Sequence, residues 1–106
     1  MDDRYDTYGF KAMTLEEVLP LVQQALGLQL QERDSSYYAG TYYLYKESYD
    51  RELKLYGNKD PVTGYWVREH YRDYAVILEV SALSNMDEIR RKLTKGLKGV
   101  VLLSSH

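Results

Sequence analysis

Cysteine is absent from this 106-residue sequence. That excludes a disulfide framework and any thiolate-ligated zinc or iron–sulfur site, and it suits a reducing compartment. Histidine occurs twice, as His70 and His106, too few for a multi-histidine metal centre. The only prolines are Pro20 and Pro61, and no low-complexity segment divides the chain, so the length fits one domain. The longest aliphatic runs, Ala75–Leu78 and Val100–Leu103, are far shorter than the roughly 20 residues a membrane helix needs. The start, Met1-Asp2-Asp3-Arg4-Tyr5-Asp6, is acidic and lacks the apolar core of a signal peptide. The expectation from these absences is a cytoplasmic protein without membrane, metal or cofactor. A strong charge of either sign is also missing: 14 basic and 16 acidic residues leave −2, which argues against nucleic acid as the partner. The charge is uneven, however: residues 1–60 hold eleven acids and seven bases, and residues 61–106 hold five acids and seven bases. Opposite signs at the two ends can steer an approaching partner.

What the chain has in excess is tyrosine, 12 residues against one Phe and one Trp. Seven of them lie within residues 37–56. Residues 1–12, with Tyr5, Tyr8 and Phe10, read as an N-terminal arm, either a frayed terminus or an edge strand, and residues 13–106 as a single α+β domain. Thr14 and Glu17 make a T-x-x-E capping box, with Met13 and Val18 at the staple positions. Leu15, Val18, Leu19, Val22, Ala25 and Leu26 then recur at helical spacing, and Gly27 suits a left-handed end. Pro20 lies inside this helix and is expected to kink it. Leu28-Gln29-Leu30-Gln31-Glu32 alternates as a half-buried strand. Tyr37–Tyr45 is dense in strand-forming aromatics, and Leu53 and Leu55 share a face of the next strand. Gly57 to Gly64 is turn chemistry throughout, with a short strand expected at Tyr65–Arg68. Ala75–Val80 reads as a central strand. A second helix over Met86–Lys95 is capped by Ser84 or Asn85, ends near Gly96 or Gly99, and precedes a final strand at Val100–Leu103. The predicted order is α-β-β-β-β-α-β. That predicts a two-layer sandwich, a mostly antiparallel sheet with both helices on one face and the last two strands parallel to one another.

Enzyme chemistry finds little to stand on. There is no G-x-S-x-G elbow, no phosphate-binding glycine loop and no calcium-loop spacing. The acid pairs Glu16/Glu17 and Asp87/Glu88 are accounted for by helix N-termini. A catalytic reading would have to rest on His70 with Asp73 or a tyrosine. The tyrosines are more informative. Tyr42-Tyr43-Leu44-Tyr45 puts rings on both faces of a strand, because successive side chains point oppositely. Rings on a face without helices meet solvent or a partner, and tyrosine is enriched in protein interfaces. The candidate anchors are Tyr42, Tyr43, Tyr45, Tyr49 and Trp66, with Glu47, Asp50 and Glu52 supplying complementary charge. A self-associating module, or one that binds a small ligand among the tyrosines, is the alternative.

In this order of elements the chain resembles small cytoplasmic immunity proteins that neutralise bacterial polymorphic toxins, including those of contact-dependent inhibition systems. The likeness rests on Thr14-Leu15-Glu16-Glu17-Val18-Leu19, Ser36-Tyr37-Tyr38-Ala39-Gly40-Thr41-Tyr42-Tyr43, Val76-Ile77-Leu78-Glu79-Val80-Ser81, and the Asp87-Glu88-Ile89 helix before a last strand. The resemblance implies a non-enzymatic inhibitor that docks on a cognate toxin domain. The acidic, tyrosine-rich first half would suit a basic toxin such as a nuclease.

Overall fold

The computed structural model describes residues 4–106. Among them, six strands form one antiparallel sheet in the order β2-β3-β4-β5-β1-β6. The strands are β1 (Tyr5–Phe10), β2 (Gln31–Ser35), β3 (Gly40–Ser48), β4 (Arg51–Gly57), β5 (Val76–Ser81) and β6 (Val100–Ser105). Helix α1 (Leu15–Leu26) follows β1, and α2 (Met86–Gly96) joins β5 to β6. From α1 onward this is the expected α-β-β-β-β-α-β order in an α+β fold.

The helices form because their ends are satisfied and their apolar stripes have somewhere to go. Both halves of the α1 capping box are made: Thr14 Oγ1 accepts from the Glu17 amide at 3.2 Å, and Glu17 Oε1 accepts from the Thr14 amide at 2.9 Å. Gly27 closes α1 in the left-handed conformation at φ 65°. The helix continues through Pro20. α2 begins after Asn85, whose side chain reaches the Glu88 carboxylate instead of capping an amide. Gly96 is its last helical residue, and Gly99 takes the left-handed turn at φ 82°. Val18, Val22 and Leu26 of α1 and Met86, Ile89 and Leu93 of α2 share one core with Tyr8, Phe10, Leu53, Leu55, Val76, Leu78 and Val80. Each such buried side chain contributes about 1.5–3 kcal/mol relative to exposure.

Residues 5–10 are not an arm or an edge: β1 is paired on both sides, with β5 and with β6. Residues 1–3 of the expected arm lie outside the described residues. β5 and β6 run parallel to each other, yet they are not neighbours, because β1 lies between them, antiparallel to both. The pairing is tied by Asp6, 1% exposed, whose carboxylate accepts from Arg90 of α2 at 2.9 Å, Ser105 of β6 at 2.6 Å and the Tyr8 hydroxyl at 3.2 Å. The Asp6 carboxylate is the main cause that raises the Arg90 guanidinium above its ordinary value.

Three smaller differences matter for the site. The second strand begins at Gln31, not Leu28; Leu28 and Leu30 instead pack toward the core, with the Leu30 amide held by Gln23 Oε1 at 2.8 Å. The aromatic strand begins at Gly40, because Ser36–Tyr38 is a 3₁₀ turn and Ala39 follows it in the left-handed region. The strand expected at residues 65–68 is reduced to one antiparallel bridge between Lys59 and Trp66.

Candidate functional site

Alternation assigns the two faces of the sheet. Tyr43 and Tyr45 of β3 lie opposite Leu55 and Leu53 of β4 and pack against the helix-side core. Tyr42, Lys54, Tyr56, Ile77 and Glu79 occupy the other face. Helices do not cover that face. It is partly roofed by the Ser36–Tyr38 turn and by the long segment 58–75. Tyr56 and Ile77 are wholly buried beneath this roof.

The roof is held by Asn58, which has no exposed surface. Its amide donates to the Ala75 carbonyl at 2.8 Å and its carbonyl accepts from the Val67 amide at 2.7 Å. Its Oδ1 accepts from the Arg68 amide at 2.7 Å, and its Nδ2 lies 2.9 to 3.3 Å from the carbonyls of Arg68, Tyr71 and Tyr74. One short amide thus closes both ends of the segment and a 3₁₀ turn at Glu69–Tyr71. A smaller turn sits within it. Asp60 Oδ1 accepts from the Val62 amide at 2.8 Å and lies 3.3 Å from that of Thr63, while the Gly64 amide returns to the Asp60 carbonyl. Those amides hold the Asp60 carboxyl below the usual range, so its charge persists. Gly64, at φ 77°, takes a conformation that suits only glycine at low cost.

Beneath the roof lies a polar core. Glu79 Oε2 accepts from the Tyr56 hydroxyl at 2.7 Å and from Arg68 at 2.6 and 2.8 Å. Burial, then the Glu79 charge, pushes the Tyr56 hydroxyl well above its ordinary value. Burial pulls the Arg68 guanidinium down, but its bonds to Tyr37 and Glu79 more than reverse this. Tyr38 stacks with Tyr42 and Tyr56 at 4.7 and 4.8 Å between centroids and accepts from Lys54 Nζ at 2.8 Å.

Where the 3₁₀ turn meets the Asp60 loop, Tyr37, Asp60, Thr63, Tyr65, Trp66 and Val67 line a shallow hollow of about 180 Å3. Its rim is aromatic and exposed: Tyr37 is 63% and Tyr65 78% exposed, and Val62 beside it 90%. Trp66 is half-buried, with Lys59 Nζ 5.3 Å from its ring. Arg68 anchors the Tyr37 hydroxyl from below at 3.3 Å.

The expected anchors do not form one surface. Trp66 lines the hollow, and Tyr42 supports it through Tyr38. Tyr43 and Tyr45 turn inward to the helices. Glu47 is engaged with Ser84, accepting from its amide at 3.1 Å and its hydroxyl at 3.0 Å. Tyr49, 82% exposed, and Asp50 sit at the β3–β4 hairpin tip, with Lys46 5.5 Å from the Tyr49 ring. Glu52 pairs with Lys54 at 3.8 Å on the roofed face. Tyr37, Val62 and Tyr65 were missed. Turn residues all around them were the available signal, since side chains carried by turns are lifted off the core.

Family models, curated proteins and solved structures yield no match to this chain. The site therefore has to be read from its own chemistry. His70 is exposed and packs edge-on against Tyr71, 5.2 Å between centroids. Among the described residues no three His, Cys, Asp or Glu side chains gather as metal ligands. Glu79 Oε2 is held by Tyr56 and Arg68. What the surface offers is a set of exposed rings on a fixed backbone, beside a carboxylate that stays ionised.

Proposed function

We propose that this chain is a protein-docking module, and that it acts as an immunity-type inhibitor that occludes a cognate toxin domain. The observation that carries the reading is the aromatic rim, with Tyr37 on the Ser36–Tyr38 turn and Tyr65 on the loop closed by Asn58 both exposed around half-buried Trp66. Exposed rings are ordinary on mobile loops. On a hydrogen-bonded one they are presented in advance, so association loses little side-chain freedom. The hollow suits a projecting side chain of the partner. Tyrosine faces attract a cation, and the Asp60 carboxylate beside them adds to that preference. A basic partner surface, such as a nuclease presents to its substrate, fits this rim and the acidic balance of residues 1–60.

This reading expects the gene directly upstream to encode a secreted protein with a variable C-terminal domain, and that domain is the titrant in the test. Tyr65→Ala and Tyr37→Ala should each weaken its binding at least 30-fold, about 2 kcal/mol, in titration calorimetry. Tyr49→Ala, at the hairpin tip, should leave affinity unchanged. Full affinity in both rim variants, or a loss confined to Tyr49→Ala, would place the contact elsewhere.

A further inference from the structure

α1 and α2 each bury one side against the sheet, through Val18, Val22 and Leu26 and through Met86, Ile89 and Leu93. Their outer sides meet in an open groove of about 390 Å3. Leu21 and Ala25 of α1 and Leu97 after α2 give it an apolar floor, and Leu21 stays 37% exposed. Arg91, Lys92 and Lys95 of α2 form its wall, and no acidic residue lines it. α2 offers this wall one carboxylate, Glu88, already held by Lys92 at 3.2 Å and by Asn85 at 3.4 Å; its other acid, Asp87, pairs with Arg4. Among the described residues Arg91, Lys95 and Lys98 make no ion pair. α1 carries no charge beyond Glu17 in its first turn. The dipole of α2 accounts for Lys95 in the last turn, but Arg91 stands at the middle of the helix.

We propose that this groove receives an acidic amphipathic helix of a partner protein, with its apolar stripe on Leu21, Ala25 and Leu97 and its carboxylates against Arg91 and Lys95. The sign of the wall selects an acidic occupant, and its spacing selects a helical one. Arg91 and Lys95 stand one turn apart on α2, about 6 Å, which is also the spacing of carboxylates at i and i+4 of a partner helix. The 11 residues of α2 span about 16 Å, so three turns of the partner run alongside it. A flat bilayer meets the raised cations before the apolar floor, whereas a helix lying in the groove reaches both. The aromatic rim is on the opposite face of the sheet. The groove therefore stays open when the rim is occupied, and this proposal does not depend on what the rim binds.

Fluorescence anisotropy with a labelled, alanine-rich peptide of about 18 residues, long enough to be helical alone, tests the docking. The peptide carries leucine at i, i+3, i+4 and i+7, with glutamate on both flanks of that stripe. The chain should bind it about tenfold more tightly than the same peptide with lysine for glutamate or with glutamine for leucine, and added salt should weaken the binding. Leu21→Gln, at an exposed position, should weaken it about fivefold. Arg91→Glu with Lys95→Glu should reverse the preference, so that the lysine peptide binds more tightly than the glutamate one. Tyr65→Ala, on the opposite face, should change nothing, so this proposal and the toxin reading fail separately. No binding at about 1 mM chain, equal binding of the lysine peptide, or an undiminished signal in either groove variant overturns the proposal. Sedimentation with phosphatidylglycerol vesicles without binding of the peptide overturns it too, and marks this face as a membrane contact.

Discussion

Gly9 has no side chain because two other residues occupy the space one would fill. It sits in the middle of β1, and a Cβ built on it would lie 2.7 Å from Tyr74 Cδ1 and 2.8 Å from Leu103 Cδ1. Real Cβ contacts do not approach so closely, so either the ring or the leucine must move. The Leu103 methyl ends a flexible side chain, whereas the Tyr74 ring is met at two atoms and its backbone is tethered. The Tyr74 carbonyl is held by Asn58, with Lys11 5.4 Å from the ring, and Leu103 belongs to β6. Gly9→Ala should therefore destabilise the fold by about 1–3 kcal/mol, the usual cost of overpacking. Urea unfolding followed by far-ultraviolet dichroism measures it, and an unchanged midpoint would show that the roof over β1 is loose. The same contact explains why β1 can lie beneath the 58–75 segment at all: glycine lets a tyrosine ring rest on the strand's own backbone.

At the scale of elements, the segment 58–75 behaves as a unit because one side chain closes it. Asn58→Ala would leave the Arg68 amide and the carbonyls of Tyr71 and Tyr74 without their partner in a buried setting. A loss of about 2–4 kcal/mol follows from the desolvation of those groups. Asn58→Asp should cost at least as much, because a carboxylate cannot donate to three carbonyls. Exchange of the Val67 and Arg68 amides should accelerate in both variants before global unfolding; amides that stay protected would show that other contacts carry the loop. This dependence also explains what could be read in advance. The α1 cap was legible since Thr14, Glu17 and Gly27 act within a few residues of one another. β1 was not, since its partners β5 and β6 come from the other end of the chain and the burial of Asp6 makes sense only beside Arg90 and Ser105. Alternation put Tyr42 and Tyr43 on different faces, as expected. Which face the helices take depends on packing that no local pattern encodes. The rim of Tyr37 and Tyr65 was hidden for a further reason: exposed rings matter there only because the backbone beneath them is fixed, by Asn58 across the loop that carries Tyr65 and by the Ser35 hydroxyl at the Tyr37 amide.

Across the whole molecule, both layers bury a tyrosine hydroxyl against a carboxylate. Tyr8 lies under the helices beside Asp6, and Tyr56 lies under the roof beside Glu79. Burial, reinforced by the Asp6 charge, pushes the Tyr8 hydroxyl up to about 12 from its ordinary 10.0. Tyr56 is raised by burial and then by the Glu79 charge. Both groups therefore keep their protons in the folded protein at pH values where the unfolded chain has lost them. Between pH 10 and 12 the unfolded state binds fewer protons than the native one, so stability falls as pH rises; below pH 10 this contribution is fully present. Tyr8 alone should account for roughly 2 kcal/mol lost by pH 12. Lys54 acts in the same direction. Burial lowers it, but the Tyr38 hydroxyl and the nearby acids leave it raised overall, and the stability it adds also fades in strong alkali. Growing negative charge destabilises any protein at such pH, and added salt screens that general repulsion far better than it screens buried hydroxyls. Denaturant midpoints from pH 8 to 11.5 in 0.5 M salt (roughly a 4 Å screening length) should thus stay level to about pH 10 and then drop steeply. In Tyr8→Phe the midpoint should start lower, for want of the Asp6 hydrogen bond, and decline less. A wild-type midpoint that stays level to pH 11.5 would mean that these hydroxyls reach water in the folded state, and that neither layer is as tightly closed as the zero exposure of Tyr8 and Tyr56 implies.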